Sequence, residues 1–196
     1  MNKEHVLIAV LGRTAAGKDS LVKMICDRTD AKALISYTTR ERRTGEGNTH
    51  IFATEADYEQ MLADGKIAAH TKIGQHYYWC TVEQLYEADY YVIDPLGLKT
   101  LKALNLPDLR LVTLYVHVPD EVRQHRALTV RQDDKSKFRV RDFSEREQFR
   151  EFERNLDFDY SIKNIDLVKS YSMLRWLSIL EGVLTPDKLT KKDQGE

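Results

Sequence analysis

An unbroken apolar run, "VLIAVL" at residues 6–11, leads straight into "GRTAAGKDS" at 12–20. The run lacks the alternation of a half-exposed strand. Both of its faces must therefore be covered, and strands of that kind belong to parallel sheets with helices on either side. The turn after it carries Gly12, Gly17 and Lys18 in G-x-x-x-x-G-K spacing. Leu21, Val22, Ile25 and Cys26 then share one side of a helix expected over 18–29. A glycine-bearing turn between a buried strand and a helix aims backbone N–H groups and the helix dipole at an anion, and a lysine there reaches outer phosphates. The spacing alone is a weak signal, but the strand before it and the helix after it strengthen it. Gly12, Arg13, Thr14, Ala15, Ala16, Gly17, Lys18, Asp19 and Ser20 are the candidate phosphate-binding residues.

One position departs from the pattern. Asp19 stands where a Ser or Thr hydroxyl would meet a metal ion. It reads either as an acidic first-turn residue favoured by the helix dipole or as a carboxylate serving Mg²⁺ directly or through water. The second reading is preferred, with the metal offsetting the extra negative charge beside phosphates. Ser20 would supply a hydroxyl only if the helix start shifted.

Further strands are expected at 33–37, in "ADYYVIDPLG" (88–97) ending at Asp94, and at 110–118 and 159–164. Helices are expected from Thr54 to a stop at Gly65, over the segment "LKTLKALN", from 120 to about 130, over 142–156 and over 166–181. Strands alternating with helices predict an α/β fold around a parallel sheet. The interruption at 38–80, a basic loop followed by short antiparallel strands, reads as an inserted lobe. The expected division is a core of 1–37 and 81–181, that lobe, and a charged tail of 182–196 that frays from about Pro186. "RQDDKSKFRVRD" at 131–142 reads as a charge-dense loop.

The 196 residues suffice for one domain, and a formal net charge of −1 argues against a general nucleic-acid or membrane-surface binder. Any electropositive site must come from local clustering, as in Arg40, Arg42 and Arg43. Arg forks suit bidentate phosphate binding. Cys26 and Cys80 give neither a disulfide framework nor zinc spacing, and no apolar run reaches the ~18 residues of a membrane span. A cytoplasmic protein with no membrane partner is expected.

"GRTAAGK", "SYTTRERRTGEG", "IFATEADYEQMLADGKI", "GQHYYWCT" and "VIDPLGLK", in that order, resemble guanylate kinase from about residue 5 to 181, most strongly over 36–99. The resemblance implies transfer of the γ-phosphoryl of ATP to GMP with Mg²⁺. The implied fold is a P-loop three-layer αβα core with a small β-rich lobe for the nucleoside monophosphate (NMP) and a lid segment at 131–141. It implies that Lys18 is the phosphate-loop lysine, that Arg40, Arg43 and Tyr78 grip the acceptor phosphate, and that Ser36 and Cys80 lie in the acceptor pocket. Asp94 would hold the metal or face the acceptor nucleoside, with Asp19 as the other metal candidate. Arg126, Arg131 and Arg141 match lid arginines, with Arg139 and Arg146 as rivals of Arg141, and Asn164 lies near the adenine. The catalytic set is Lys18, Arg40, Arg126, Arg131 and Arg141. A monomer or homodimer without a nucleic-acid partner is expected.

Three departures bear on the acceptor. Ala69 stands where the family has a glutamate that reads guanine, Trp79 and Cys80 follow the tyrosine pair, and His50 replaces a phosphate-binding tyrosine. Loss of a carboxylate that accepts two base N–H donors weakens guanine selection, so a changed or broadened base choice is expected, with His70 or Gln75 as alternative readers. Two other readings stand beside the kinase. One is a non-catalytic guanylate-kinase-like module that binds an acidic or phosphorylated peptide through Arg40 and Arg43. The other is a kinase of another phosphorylated small molecule.

Overall fold

The computed structural model describes residues 4–42 and 47–189. In chain order the elements are β1 (His5–Leu11), α1 (Lys18–Arg28), β2 (Tyr37–Thr38), β3 (Ile51–Phe52), α2 (Glu55–Ala63), β4 (Ile67–Ile73), β5 (His76–Thr81) and α3 (Val82–Glu87). Then come β6 (Tyr90–Val92), α4 (Pro95–Ala103), β7 (Leu109–His117), α5 (Asp120–His125), α6 (Lys135–Asn155), β8 (Tyr160–Lys163) and α7 (Leu167–Leu180). A π turn over Arg126–Val130 continues α5, and a 3₁₀ turn over Pro186–Lys188 follows α7.

Strand β1 is fully buried from Leu7 to Leu11. It pairs in parallel with β6 on one side and β7 on the other, and β8 extends the sheet to the order β6-β1-β7-β8. Ile8 and Val10 pack with Leu21, Ile25, Leu174 and Leu177 of α1 and α7. Leu7, Ala9 and Leu11 pack with Leu85, Leu98, Phe149 and Phe152 of α3, α4 and α6. Both faces of the strand are apolar because both are covered, and this gives the three αβα layers.

The second sheet has the order β3-β2-β5-β4. Trp79, fully buried, anchors one of its faces: it stacks on Tyr37 with ring centroids 5.3 Å apart and meets Tyr58 edge-on at 5.1 Å. Tyr58 in turn stacks on Tyr77 at 4.1 Å. Alternation along β5 sends Tyr78 and Cys80 to the opposite face. Helix α2 starts at Thr54 with a full capping box to Asp57, as the sequence suggests.

Three expectations are corrected. Residues 33–37 do not form a strand of the core sheet. Only Ala33 bridges to Tyr90, after which the chain leaves through exposed Ile35 and joins the lobe sheet at Tyr37, where Trp79 provides the stacking partner. The charge-dense segment 131–142 is mostly helix. Helix α6 starts at Lys135, where the Asp134 side chain accepts from the Lys137 N–H, and runs unbroken for 21 residues. The tail is not frayed up to Leu189. Val183 and Leu184 are buried, Asp30 N–H donates to the Lys188 carbonyl at 2.8 Å, and the Lys188 ammonium pairs with Asp89.

If Leu184 belongs to the core, Leu184→Ala should lower the unfolding free energy by about 2–4 kcal/mol in urea titrations. A change near zero would mean that 182–189 is peripheral.

Candidate active site

The loop at 12–17 leaves the sheet in a conformation that other residues would resist. A Cβ on Gly12 would lie 2.4 Å from the Val116 carbonyl oxygen, so only glycine allows this close approach to β7. Gly17 has φ 87°, and a Cβ there would meet Asn164 Nδ2 at 2.5 Å. Gly17 is also the N-cap of α1 and supplies no capping side chain. The first-turn N–H groups of α1 have no partner within the helix, and this end of the dipole attracts anions.

Two side chains brace the loop from the side of β8. Asn164, 1% exposed, donates from Nδ2 to the Ala16 carbonyl at 2.8 Å. Arg126 donates to the same carbonyl at 3.3 Å and to the Asn164 carbonyl at 2.8 Å. A second set clamps the loop from α5 and α6. Arg13 pairs with Asp142 at 2.7 Å and Asp120 at 3.3 Å. Arg123, 2% exposed, pairs with the same two acids at 2.8 and 2.7 Å and donates to the Thr14 carbonyl at 3.2 Å. Glu145 accepts from both the backbone N–H and the hydroxyl of Thr14, each at 2.6 Å. A polar cavity of about 350 Å³ lies beside this clamp, with Arg13, His117, Asp120, Arg123 and Glu153 in its wall; Lys18 is not part of that wall.

The sequence reading did not single out Asp120, Arg123, Asp142 or Glu145. A signal for the two acids on α6 exists: Phe138, Asp142, Glu145, Phe149 and Phe152 recur at i, i+4, i+7, i+11 and i+14, which places them on one face of a helix. Two of the five are acids because that face meets an arginine-bearing loop.

Lys18 lies beside the Asp19 carboxylate. Its ammonium is 3.5 Å from Asp19, whose side chain is exposed. The Lys18 charge holds the Asp19 carboxyl below the ordinary range. Asp94, the N-cap of α4, accepts from the Gly97 N–H at 2.8 Å. Burial pushes its carboxyl above the ordinary range, opposed by the Gly97 and Leu96 N–H groups, the Thr71 hydroxyl beside it and the Lys18 charge. Among the described residues no three His, Cys, Asp or Glu side chains converge on a point that could hold a metal ion.

On the lobe, Tyr78 meets His50 edge-on at 5.6 Å, and the Arg40 guanidinium lies 5.5 Å from the Phe52 ring centroid. Arg40 donates to the Glu41 carbonyl, and Ser36 accepts the Ile51 N–H through its own carbonyl. Arg43 falls outside the described residues. Cys80, expected in the acceptor pocket, is fully buried instead. It sits across from Ala69, also fully buried, in the apolar layer with Leu85, Tyr91 and Leu98. Helices α3 and α4 pack against this end of β4 and β5 and close the row. Burial pushes the Cys80 thiol up to about 11. His70 is hydrogen-bonded to the Tyr58 hydroxyl within the aromatic cluster, and Gln75 lies exposed in the β4–β5 turn. Arg131 pairs with Asp133, and Arg141 is exposed on α6. Of its rivals, Arg139 is exposed and Arg146 adjoins Asp142 and Asp120 at 3.6 and 3.7 Å.

The family model described as guanylate kinase matches residues 3–179. A guanylate kinase of Syntrophotalea carbinolica is 29% identical over 191 residues, covering 93% of this chain and 89% of the relative. One from Protochlamydia amoebophila is 29% identical over 189 residues, covering 92% and 93%. The crystal structure of guanylate kinase from Anaplasma phagocytophilum superposes with a TM-score of 0.63 at 19% identity, covering 94% of this chain and 90% of that one; this likeness speaks for the fold.

The clamp has a measurable signature in stability. Asp142→Ala leaves two buried guanidinium groups short of a carboxylate and should cost about 3 kcal/mol. Asp133→Ala, which breaks the more exposed pair with Arg131, should cost under about 1 kcal/mol. Equal effects in denaturant unfolding would refute the clamp.

Proposed function

The chain belongs to the guanylate kinase family and is an ATP-dependent nucleoside monophosphate kinase of that type, and from this premise we propose how its residues divide the work. Lys18 and the 12–18 backbone take the donor phosphates. Arg40, Arg43 and Tyr78 hold the acceptor phosphate. Arg126 covers the donor side from the turn that continues α5, Arg131 supplies a further cation from the segment between α5 and α6, and Arg141 supplies one from α6. The observation that supports this best is the uncapped start of α1, with the Ala16 carbonyl before it held by Asn164 and Lys18 beside Asp19.

Phosphoryl transfer needs little from protein side chains beyond positioning and charge neutralisation. An acceptor phosphate oxygen attacks the γ-phosphorus in line, and the bond to the β–γ bridging oxygen breaks. Charge spreads over the equatorial oxygens, where a preorganised ammonium and backbone N–H groups stabilise it without reorganising. In the nucleotide-free chain the Lys18 charge is shared with Asp19, and donor phosphates compete for it. Mg²⁺, when bound, neutralises phosphate charge, and Asp19 and Asp94 are the residues that would hold it or its waters.

The acceptor is GMP or a related ribo- or deoxynucleoside monophosphate. The buried Ala69–Cys80 row offers no carboxylate to a base edge, which favours a broadened base choice and leaves another phosphorylated small molecule as the second reading. Cys26 and Cys80 are both unpaired, in keeping with a reducing cytoplasm.

A coupled ADP-release assay across GMP, dGMP, IMP, AMP, CMP, UMP and TMP tests the acceptor. Transfer to at least one is expected, and silence on all with ATP bound would favour the second reading. Lys18→Ala should lower kcat/KM by about 10³-fold with an unchanged melting temperature. Activity that survives it would remove the phosphate-loop assignment.

Asp94 gives a pH-linked prediction. Its folded-state carboxyl lies above the ordinary value because burial disfavours the charge. Its ionisation therefore opposes folding above that folded value, and the penalty disappears as pH falls through it. Asp94→Asn keeps a capping side chain and should leave stability at pH 7 equal or higher, while transfer falls by about 10²-fold or more. Loss of stability together with activity would mean a purely structural role.

A further inference from the structure

Thr71 shares a face of β4 with Ala69, one row further along the strand, and lies directly across from Tyr78, which in turn pairs with Thr38 of β2. His70, Tyr77 and Trp79 belong to the aromatic cluster on the other face. The Thr71 side chain thus points to the side of Tyr78 and Asp94. Its hydroxyl oxygen is shut off from solvent and makes no hydrogen bond of normal geometry, although it lies beside the Asp94 carboxylate. Asp94 spends one oxygen on the Gly97 N–H. The next row inward, Ala69 opposite Cys80, has no polar side chain that reads a nucleoside.

Beside a buried carboxylate the Thr71 hydroxyl eases the Asp94 charge, which valine of the same volume would not do. A hydroxyl held beside a carboxylate, on the face that carries the acceptor-gripping tyrosine, is suited to an N–H or O–H group of a bound molecule. The carboxylate accepts, and the hydroxyl either donates or accepts.

We propose that Thr71 is a specificity-determining residue for the acceptor, its hydroxyl bonding, next to Asp94, an N–H or O–H group of the nucleoside. It supplies the polar contact that position 69 lacks. This rests on the reading of the Tyr78 and Asp94 side as the acceptor site. Two parts of a nucleoside monophosphate carry such a group, the amino edge of the base and the ribose hydroxyls.

The test compares full-length wild type with Thr71→Val and Thr71→Ser. Steady-state transfer from ATP is measured with GMP, IMP and dGMP, and binding of the same three is followed by calorimetry, which reads the site without turnover. The valine variant should bind its preferred acceptor about tenfold more weakly, with the KM for ATP unchanged and a melting temperature close to wild type. The serine variant should restore binding. If the contact is to the base, preference for GMP over IMP shrinks in the valine variant; if to the sugar, preference for GMP over dGMP shrinks. Acceptor affinities within about twofold of wild type would overturn the proposal, as would equal weakening of ATP and acceptor with a lowered melting temperature. A wild type that binds monophosphates but does not transfer would count against the kinase chemistry alone, and the binding comparison would still decide the role of Thr71.

Discussion

Asp142 and Glu145, on the inward face of α6, fix the shape of the loop that begins α1. The loop carries local strain at Ala15, a residue with a Cβ at positive φ, and such backbone persists only where its surroundings over-determine it. Asp142 holds Arg13 and Arg123 together, and Glu145 takes the Thr14 N–H that the loop cannot satisfy by itself. From the other side, Asn164 and Arg126 take the Ala16 carbonyl. With the Thr14 and Ala16 carbonyl oxygens engaged on both flanks, the loop is held in one shape up to the uncapped start of α1. Buried ion pairs are poor sources of net stability, because desolvation offsets the attraction. Their effect here is on geometry: they set the register of a long helix against a turn whose shape decides where phosphates can lie.

The lobe divides its labour between the two faces of one small sheet. The side with Trp79, Tyr58, Tyr77 and Tyr37 is a stacked aromatic core that holds the sheet together. The other side carries Tyr78 and Thr71 toward the cleft, with the closed Ala69–Cys80 row behind them. Strand alternation permits this, since adjacent residues of β4 and β5 serve opposite tasks.

The parts legible in the sequence are those where one residue type has one physical use. An unbroken apolar strand, a glycine where φ is positive, and Thr54 with Asp57 at a helix start all read correctly without tertiary information. Legibility fails where tertiary partners invert the usual meaning of a residue. Asp142 and Glu145 look like solvated charges of a polar helix until Arg13, Arg123 and Thr14 are brought to them, and the charge-dense start of α6 before them reads as a loop. Cys80 shares a face of β5 with Tyr78, yet α3 and α4 cover it. Ile35 continues an apolar pattern, but the chain has already left the sheet after Ala33. That the Thr71 hydroxyl lies beside Asp94 is invisible in sequence, because it is a property of the neighbours.

Every brace on the loop comes from far along the chain. Glu145 lies 131 residues beyond Thr14, and Asn164 lies 148 beyond Ala16. During synthesis at about 5–20 residues per second, the loop leaves the ribosome roughly ten seconds before its last brace. The apolar strand ahead of it also waits, since its partner β7 ends at His117 and β6 at Val92. Nucleotide cannot assist that early stage, because the cradle it would occupy has no fixed shape until β8 has been added. A nascent chain of this kind depends on whatever shields "VLIAVL" in the interval, and a ribosome stalled before residue 164 would display a phosphate-loop sequence without a phosphate site.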